Sequence, residues 1–195
     1  MSLASYQAAL PRVAMGNRLG RSAGCQPGSK TDREGMPNVL MVCLGNICRS
    51  PMAEAVLRTL VMLRADAAEW TIDSAGTGDW HVGDAPDPRT LAVLRRHGIS
   101  TPHRGRQVRS EDFLCFDHIL VMDDANLEAI AAFTPPHGTT AKLARLGDWD
   151  PRRPAAVPDP YFTTGLGPFE EIYAQTERCC RAFLDDFDRQ VMLKP

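Results

Sequence analysis

No apolar run in this 195-residue chain approaches the ~18 residues that a bilayer-spanning helix needs, so membrane insertion is not expected. A charge excess of either sign is missing too. With a formal net charge of -2 there is no field to steer the protein towards nucleic acid or an anionic membrane, and partner choice must come from a local site. No two cysteines stand in a C-x2-C pair, which argues against a structural zinc site, and the nucleotide-binding string G-x-x-x-x-G-K-[ST] is absent. What is present is 44% hydrophobic and 24% charged, the composition of one ordinary domain able to bury a core without disulfides. The six cysteines (25, 43, 48, 115, 179, 180) follow no regular spacing. Cys179 and Cys180 are neighbours inside a helical pattern, where a bond between them would distort the backbone. The thiols therefore read as reduced and the protein as cytoplasmic.

Residues 1–36 carry no acid before Asp32, and their apolar residues have no clear period. Their composition has a weak likeness to an organellar presequence, without its amphipathic repeat or cleavage signal. They read as a flexible extension, leaving residues 37–195 as the folded domain. From residue 38 strand-like runs alternate with helix-like stretches, the pattern of a parallel sheet covered by helices on both faces. Val39–Cys43 is the first strand. Pro51–Arg64 follows as a helix, with Ser50 as its N-cap and Pro51 at its first position. Strands are expected at Trp70–Ser74, His118–Met122 and Thr140–Leu146. Residues 88–97 form a helix stopped by Gly98, with Leu91, Leu94 and the stem of Arg95 inward. Short helices follow Ser110 and Asp123. A closing helix places Phe169, Ile172, Tyr173, Thr176, Cys179, Cys180, Phe183, Leu184 and Phe187 at helical spacing.

The chemistry concentrates in Cys43-Leu44-Gly45-Asn46-Ile47-Cys48-Arg49-Ser50. This run lies where the first strand hands over to a helix. Such a turn fans out backbone N–H groups at the positive end of a helix dipole, a nest that binds an oxyanion and stabilises a thiolate. Arg49 can fold its planar guanidinium back onto two oxygens of the same anion. A nucleophile, an anion cradle and a bidentate clamp within eight residues point to phosphoryl transfer through a phosphocysteine. The acid for the leaving oxygen must come from elsewhere. Asp159, held between Pro158 and Pro160 beside Tyr161 in a proline-rich stretch, is the candidate.

These residues resemble the low-molecular-weight protein tyrosine phosphatases. The likeness runs from Val42 through Pro51, then Asp73-Ser74-Ala75-Gly76-Thr77, Arg96-His97-Gly98-Ile99 and Arg106-Gln107-Val108. It continues through Phe116-Asp117, Met122-Asp123 with Asn126, Asp159-Pro160-Tyr161 and Cys179 to Leu184. The resemblance implies a three-layer α/β/α fold, a flavodoxin-like four-stranded parallel sheet with the phosphatase loop after the first strand. It implies Cys43 as nucleophile, Arg49 as clamp, and Asp159 as general acid and then base. Ser50 would hydrogen-bond the sulfur and ease its departure. Asn46 would hold a left-handed turn, braced by Ser74 and His103. Leu44, Gly45, Asn46, Ile47 and Cys48 would line the substrate site, with Trp80 and Tyr161 as aromatic walls. The substrates would be phosphotyrosine proteins and free aryl phosphates, and no metal or other cofactor is called for.

Alternatives attach to several of these residues. Cys48 is either a reversible disulfide partner of Cys43, as in the family, or a silent packing residue. Cys115, Cys179 and Cys180 read as core, and Arg104, Arg106 and Arg109 as a solvated basic face. An arsenate reductase on the same loop would need further resolving cysteines mid-chain, where Cys115 stands alone. A phosphoarginine phosphatase would carry threonine where this chain has Ile47. A catalytically dead phosphate-binding module would have lost the nucleophile, arginine or acid. Many animal members have two tyrosines after the Asp-Pro pair, whereas this chain has Tyr161-Phe162, which narrows any control by phosphorylation to one position. The oligomeric state is left open.

Overall fold

Val39, Leu40, Met41 and Val42 have no accessible surface, the signature of a strand buried on both faces at the centre of a parallel sheet. The computed structural model describes residues 37–153 and 156–193, so the expected extension over 1–36 lies outside the described residues. The strand is β1 (Asn38–Cys43), joined by β2 (Thr71–Gly76), β3 (His118–Val121) and β4 (Lys142–Arg145). All pair in parallel, in the order β2-β1-β3-β4. The chain leaves β1 for one neighbour and later returns to the other side, so the carboxyl end of β1 sits at the switch point where open α/β sheets bind ligands.

Alternation along β1 divides the interior in two. Val39, Met41 and Cys43 face a large core shared with α1 (Arg49–Val61), α2 (Pro88–Arg96) and α5 (Gly167–Met192). Leu40 and Val42 face a smaller core closed by Phe113 and Cys115 of α3 (Asp112–Cys115) and Ile130 of α4 (Asp124–Ile130). The result is helices on both sides of a four-stranded parallel sheet. Along α5 the buried residues include all of those expected from helical spacing except Phe187, which packs at the core's edge; Gln175 is also buried. Among the described residues no helix is long and apolar enough to cross a membrane.

Several local expectations are corrected. Helix α1 starts at Arg49, capped by Cys48 without a side-chain bond, because the Ser50 hydroxyl is engaged by Cys43 and Asn46 instead. On α2 the buried residues are Thr90, Val93 and Leu94, while Leu91 is half-buried and Arg95 exposed. Gly98, at φ +72°, ends that helix in the left-handed conformation that costs glycine least. Arg106 belongs to no solvated face. It pairs with Asp73 in the middle of β2 and with Asp112 at the start of α3. Cys43, Cys48, Cys179 and Cys180 are free thiols. Cys115 is disulfide-bonded, which corrects the expectation of reduced thiols at that residue, since pairing depends on spatial proximity that spacing along the chain does not reveal.

Candidate active site

Residues 44–48 wrap the end of β1 and deliver the chain into α1. The turn depends on Asn46, which adopts φ +55°, a left-handed conformation that asparagine tolerates better than most residues. Its backbone N–H thereby points at the Cys43 sulfur, 3.3 Å away. The neighbouring loop holds the turn down. Thr77 N–H donates to Cys43 O and Gly78 N–H to Leu44 O, each at 2.9 Å. A Cβ on Gly76 would fall 2.7 Å from Leu44 O, so this approach requires glycine.

Buried side chains beneath the loop form a chain of directed hydrogen bonds. Ser74 Oγ donates to Glu54 Oε2 at 2.7 Å, leaving its lone pairs for Asn46 Nδ2 at 2.9 Å. The second hydrogen of Asn46 Nδ2 goes to Ser50 Oγ at 2.9 Å. Ser50, having accepted there, keeps its own proton for the Cys43 sulfur at 3.0 Å or for Ala75 O at 3.4 Å. Asn46 Oδ1 accepts from the Arg106 N–H at 2.9 Å, which uses the remaining face of the amide. His103 Nε2 donates to Asn46 O at 3.1 Å, and its Nδ1 lies 3.1 Å from Glu54 Oε2. Burial pushes the Glu54 carboxyl up, but hydrogen bonding by His103 and the charge of Arg58 outweigh it and hold Glu54 below its usual value. The anchor of the chain is thus an anion.

Arg49 is 2% exposed and lies between two carboxylates. Nη1 bonds Asp123 Oδ2 and, at 3.2 Å, Val157 O, whereas Nη2 reaches Asp159 Oδ2 at 2.6 Å. Asp123 stands just beyond β3 as the N-cap of α4, and Asp159 lies in the loop after β4. Carboxyl ends of different strands therefore converge on one guanidinium. Asp159 Oδ1 also accepts from Tyr161 N–H at 3.1 Å, an Asx turn that aims the carboxylate inward.

The pocket above is lined by Cys43, Leu44, Gly45, Ile47, Cys48 and Arg49 from the loop. Trp80, His81, Asp159, Tyr161 and Phe162 complete its rim. Trp80 is 71% exposed, and Tyr161 packs edge-on against Phe162 at 4.9 Å. Every residue expected to act in the site is gathered here or directly beneath, with Asn46, Ser50, Ser74 and His103 in the supporting layer. Burial, reinforced by Asp87, Cys43 and Asp159, pushes the Cys48 thiol up to about 12. It stays protonated near neutral pH and is a poor competitor for the electrophile. Among the described residues no cluster of three or more His, Cys, Asp or Glu is arranged to hold a metal ion.

Sequence reasoning assigned no part to Glu54, Asp123 or His81. Glu54 and Arg58, four residues apart on a helix, form an ordinary surface-type pair in sequence, yet Glu54 is buried and closes the chain behind Asn46. Asp123 sits within the matching string Met122-Asp123, but nothing local announces that it meets Arg49.

Comparison with known proteins identifies the family and the fold. The family model described as low molecular weight phosphotyrosine protein phosphatase matches residues 38–193. The low molecular weight phosphotyrosine protein phosphatase of Sus scrofa is 48% identical over 149 residues, covering 76% of this chain and 94% of that protein. A crystal structure of a protein tyrosine phosphatase from Entamoeba histolytica superposes with a TM-score of 0.74 at 32% identity, covering 79% of this chain and 98% of that one. A structure described as Drosophila arginine phosphatase gives a TM-score of 0.70 at 41% identity, with 76% and 96% covered.

Proposed function

Because this chain belongs to the low molecular weight phosphotyrosine protein phosphatases, we propose that it hydrolyses protein phosphotyrosine and aryl phosphates through a phosphocysteine. The observation that carries the reading is the convergence of the Cys43 sulfur, Arg49 and Asp159 on one aromatic-rimmed pocket. The Cys43 thiolate attacks phosphorus as the bond to the phenol oxygen breaks. Asp159 delivers its proton to that oxygen, and the loop amides and Arg49 take the equatorial charge. Water then attacks the phosphocysteine and gives a proton to Asp159. The P–S bond breaks, phosphate leaves, and the Ser50 hydroxyl receives the departing thiolate.

For this to occur the guanidinium must exchange carboxylate for phosphate oxygens. The Asp159 contact is the one to open, since the freed carboxyl is then available to the leaving group. Asp123 keeps its hold on Nη1 and preserves the orientation of the clamp. Ring contact with Trp80 and Tyr161 favours an aryl ester, and a phenol of pKa ~10 leaves more readily than an alkoxide. A nucleophilic thiol that must remain reduced fits a cytoplasmic setting.

Phosphate release from a phosphotyrosine peptide, with reductant and chelator, tests the reading. Turnover is expected in the wild type, abolished in Cys43→Ser and reduced about 100-fold or more in Asp159→Asn, the usual contribution of a general acid. Phosphoarginine is the discriminating second substrate. Preferential turnover of it by the reduced, folded protein would overturn the tyrosine assignment.

A further inference from the structure

Asp87 and Arg89 open α2 and take no part in the chemistry described above. Asp87 caps the helix through Oδ1, which accepts from the Arg89 backbone N–H at 2.8 Å. The same carboxylate grips the Arg89 side chain twice, Oδ1 from Nε at 2.9 Å and Oδ2 from Nη2 at 2.8 Å. That bidentate pair fixes the guanidinium plane and aims its remaining donors across a gap in sequence of more than 70 residues. Nη2 donates to Tyr161 O at 3.0 Å and Nη1 to Thr163 O at 2.6 Å. The guanidinium face covers the Phe169 ring at 4.5 Å.

The same turn also holds the nucleophile's loop. Asp87 N–H donates to Ile47 O at 2.8 Å, and the Thr90 hydroxyl reaches Cys48 O at 3.5 Å. The start of α2 is therefore a strut, with one end on the Cys43 loop and the other on the segment that carries Asp159. This second attachment matters because the direct contact between Asp159 and Arg49 cannot persist during catalysis. Once Arg49 turns to the phosphoryl oxygens, Asp159 is held by its own loop. Upstream, that loop is tied to the residue just beyond β3 by Val157 N–H donating to Met122 O at 2.8 Å. Downstream, it is tied by Arg89.

We propose that Arg89 is a positioning residue for the general acid, setting the distance between the Asp159 carboxyl and the phosphoryl group on Cys43. The proposal rests on the assignment of Asp159 as that acid. A misplacement of about 1 Å at such a group can cost on the order of 100-fold in rate. Lysine cannot replace the arginine, since one ammonium cannot satisfy both carboxylate oxygens and two carbonyls in fixed directions.

The test compares kcat/KM for 2,4-dinitrophenyl phosphate, whose leaving group needs no proton, with that for phenyl phosphate, whose leaving group does. In Arg89→Met and Arg89→Lys the ratio of the first to the second is expected to rise about tenfold or more, part of the ~100-fold that an acid supplies. Adding Arg89→Met to Asp159→Asn is expected to leave the Asp159→Asn ratio unchanged, because an absent acid cannot be misplaced. An unchanged ratio in both arginine variants would overturn the proposal, as would an equal rise with and without Asp159. A wild-type ratio in Asp159→Asn would overturn the acid assignment itself, and the proposal with it. If Arg89→Met fails to fold, Arg89→Lys carries the same readout with charge and stem retained.

Discussion

Ser50 illustrates how a single hydroxyl acquires direction. Two of its neighbours could take its proton and one gives it a hydrogen, and the order is settled several residues away. Glu54 must accept, so Ser74 donates to it and in turn accepts from Asn46, which also donates to Ser50. With its lone pair occupied, Ser50 is left to donate to the sulfur. In the proposed mechanism such a donor matters most when a full thiolate reforms, at cleavage of the phosphocysteine. Ser50→Ala is therefore expected to lower kcat about tenfold or more, with a smaller loss in kcat/KM. Stopped-flow release of nitrophenol should then show a burst followed by slow turnover. Equal losses in both constants and no burst would place the hydroxyl in the first step instead.

Among the elements, α5 carries most of the structural work on the face beneath the site. Its buried stripe meets α1, α2 and the turn after β4. Phe183 is 2% exposed and packs edge-on against Trp149 and His118, each at 5.3 Å. Removing that ring leaves a cavity that rigid neighbours cannot fill. Phe183→Ala is expected to cost about 3–5 kcal/mol in urea unfolding, yet the folded fraction should keep the wild-type KM because no contact with the pocket is lost. A changed KM at full folding would show that α5 also shapes the site. Helix α1 has the opposite character. Its first residues are the site, and its start at Arg49 follows from hydrogen bonding within the loop rather than from capping preference.

Across the whole molecule, paired carboxylates set the response to acid. Arg64 holds Asp66 and Asp188 down, Arg89 holds Asp87 down, and Arg178 overcomes burial at Asp150. Glu54 is lowered as well. Each such group contributes stability that is present above its unfolded value, 3.8 for Asp or 4.5 for Glu, and is lost as pH falls through the folded value. Asp73 runs the other way. Burial, only partly offset by Arg106, raises it, so its contribution is present at low pH and lost as pH rises. The lowered groups outnumber it. The urea midpoint is therefore expected to drop between about pH 5 and pH 3, and a constant or rising midpoint would contradict this balance.

Residues 43–50 could be read as a candidate phosphoryl-transfer loop because their chemistry depends on neighbours in the chain: a cysteine at a strand end, an arginine and a helix start. β1 was legible as a continuous apolar run, the mark of a strand buried on both faces, and α5 by the helical period of its apolar stripe. Less was visible wherever partners are distant. The meeting of Arg49 with Asp123 and Asp159, the burial of Glu54 behind Asn46, and the reach of Arg89 to Tyr161 and Thr163 all depend on the order of strands. That order brings the carboxyl ends of β1, β2 and β3 to one edge of the sheet. Local chemistry was thus settled by sequence, through bonds and spacing. The pairing of charges was decided by the tertiary structure, because a buried ion takes whichever opposite charge the packed sheet brings within reach.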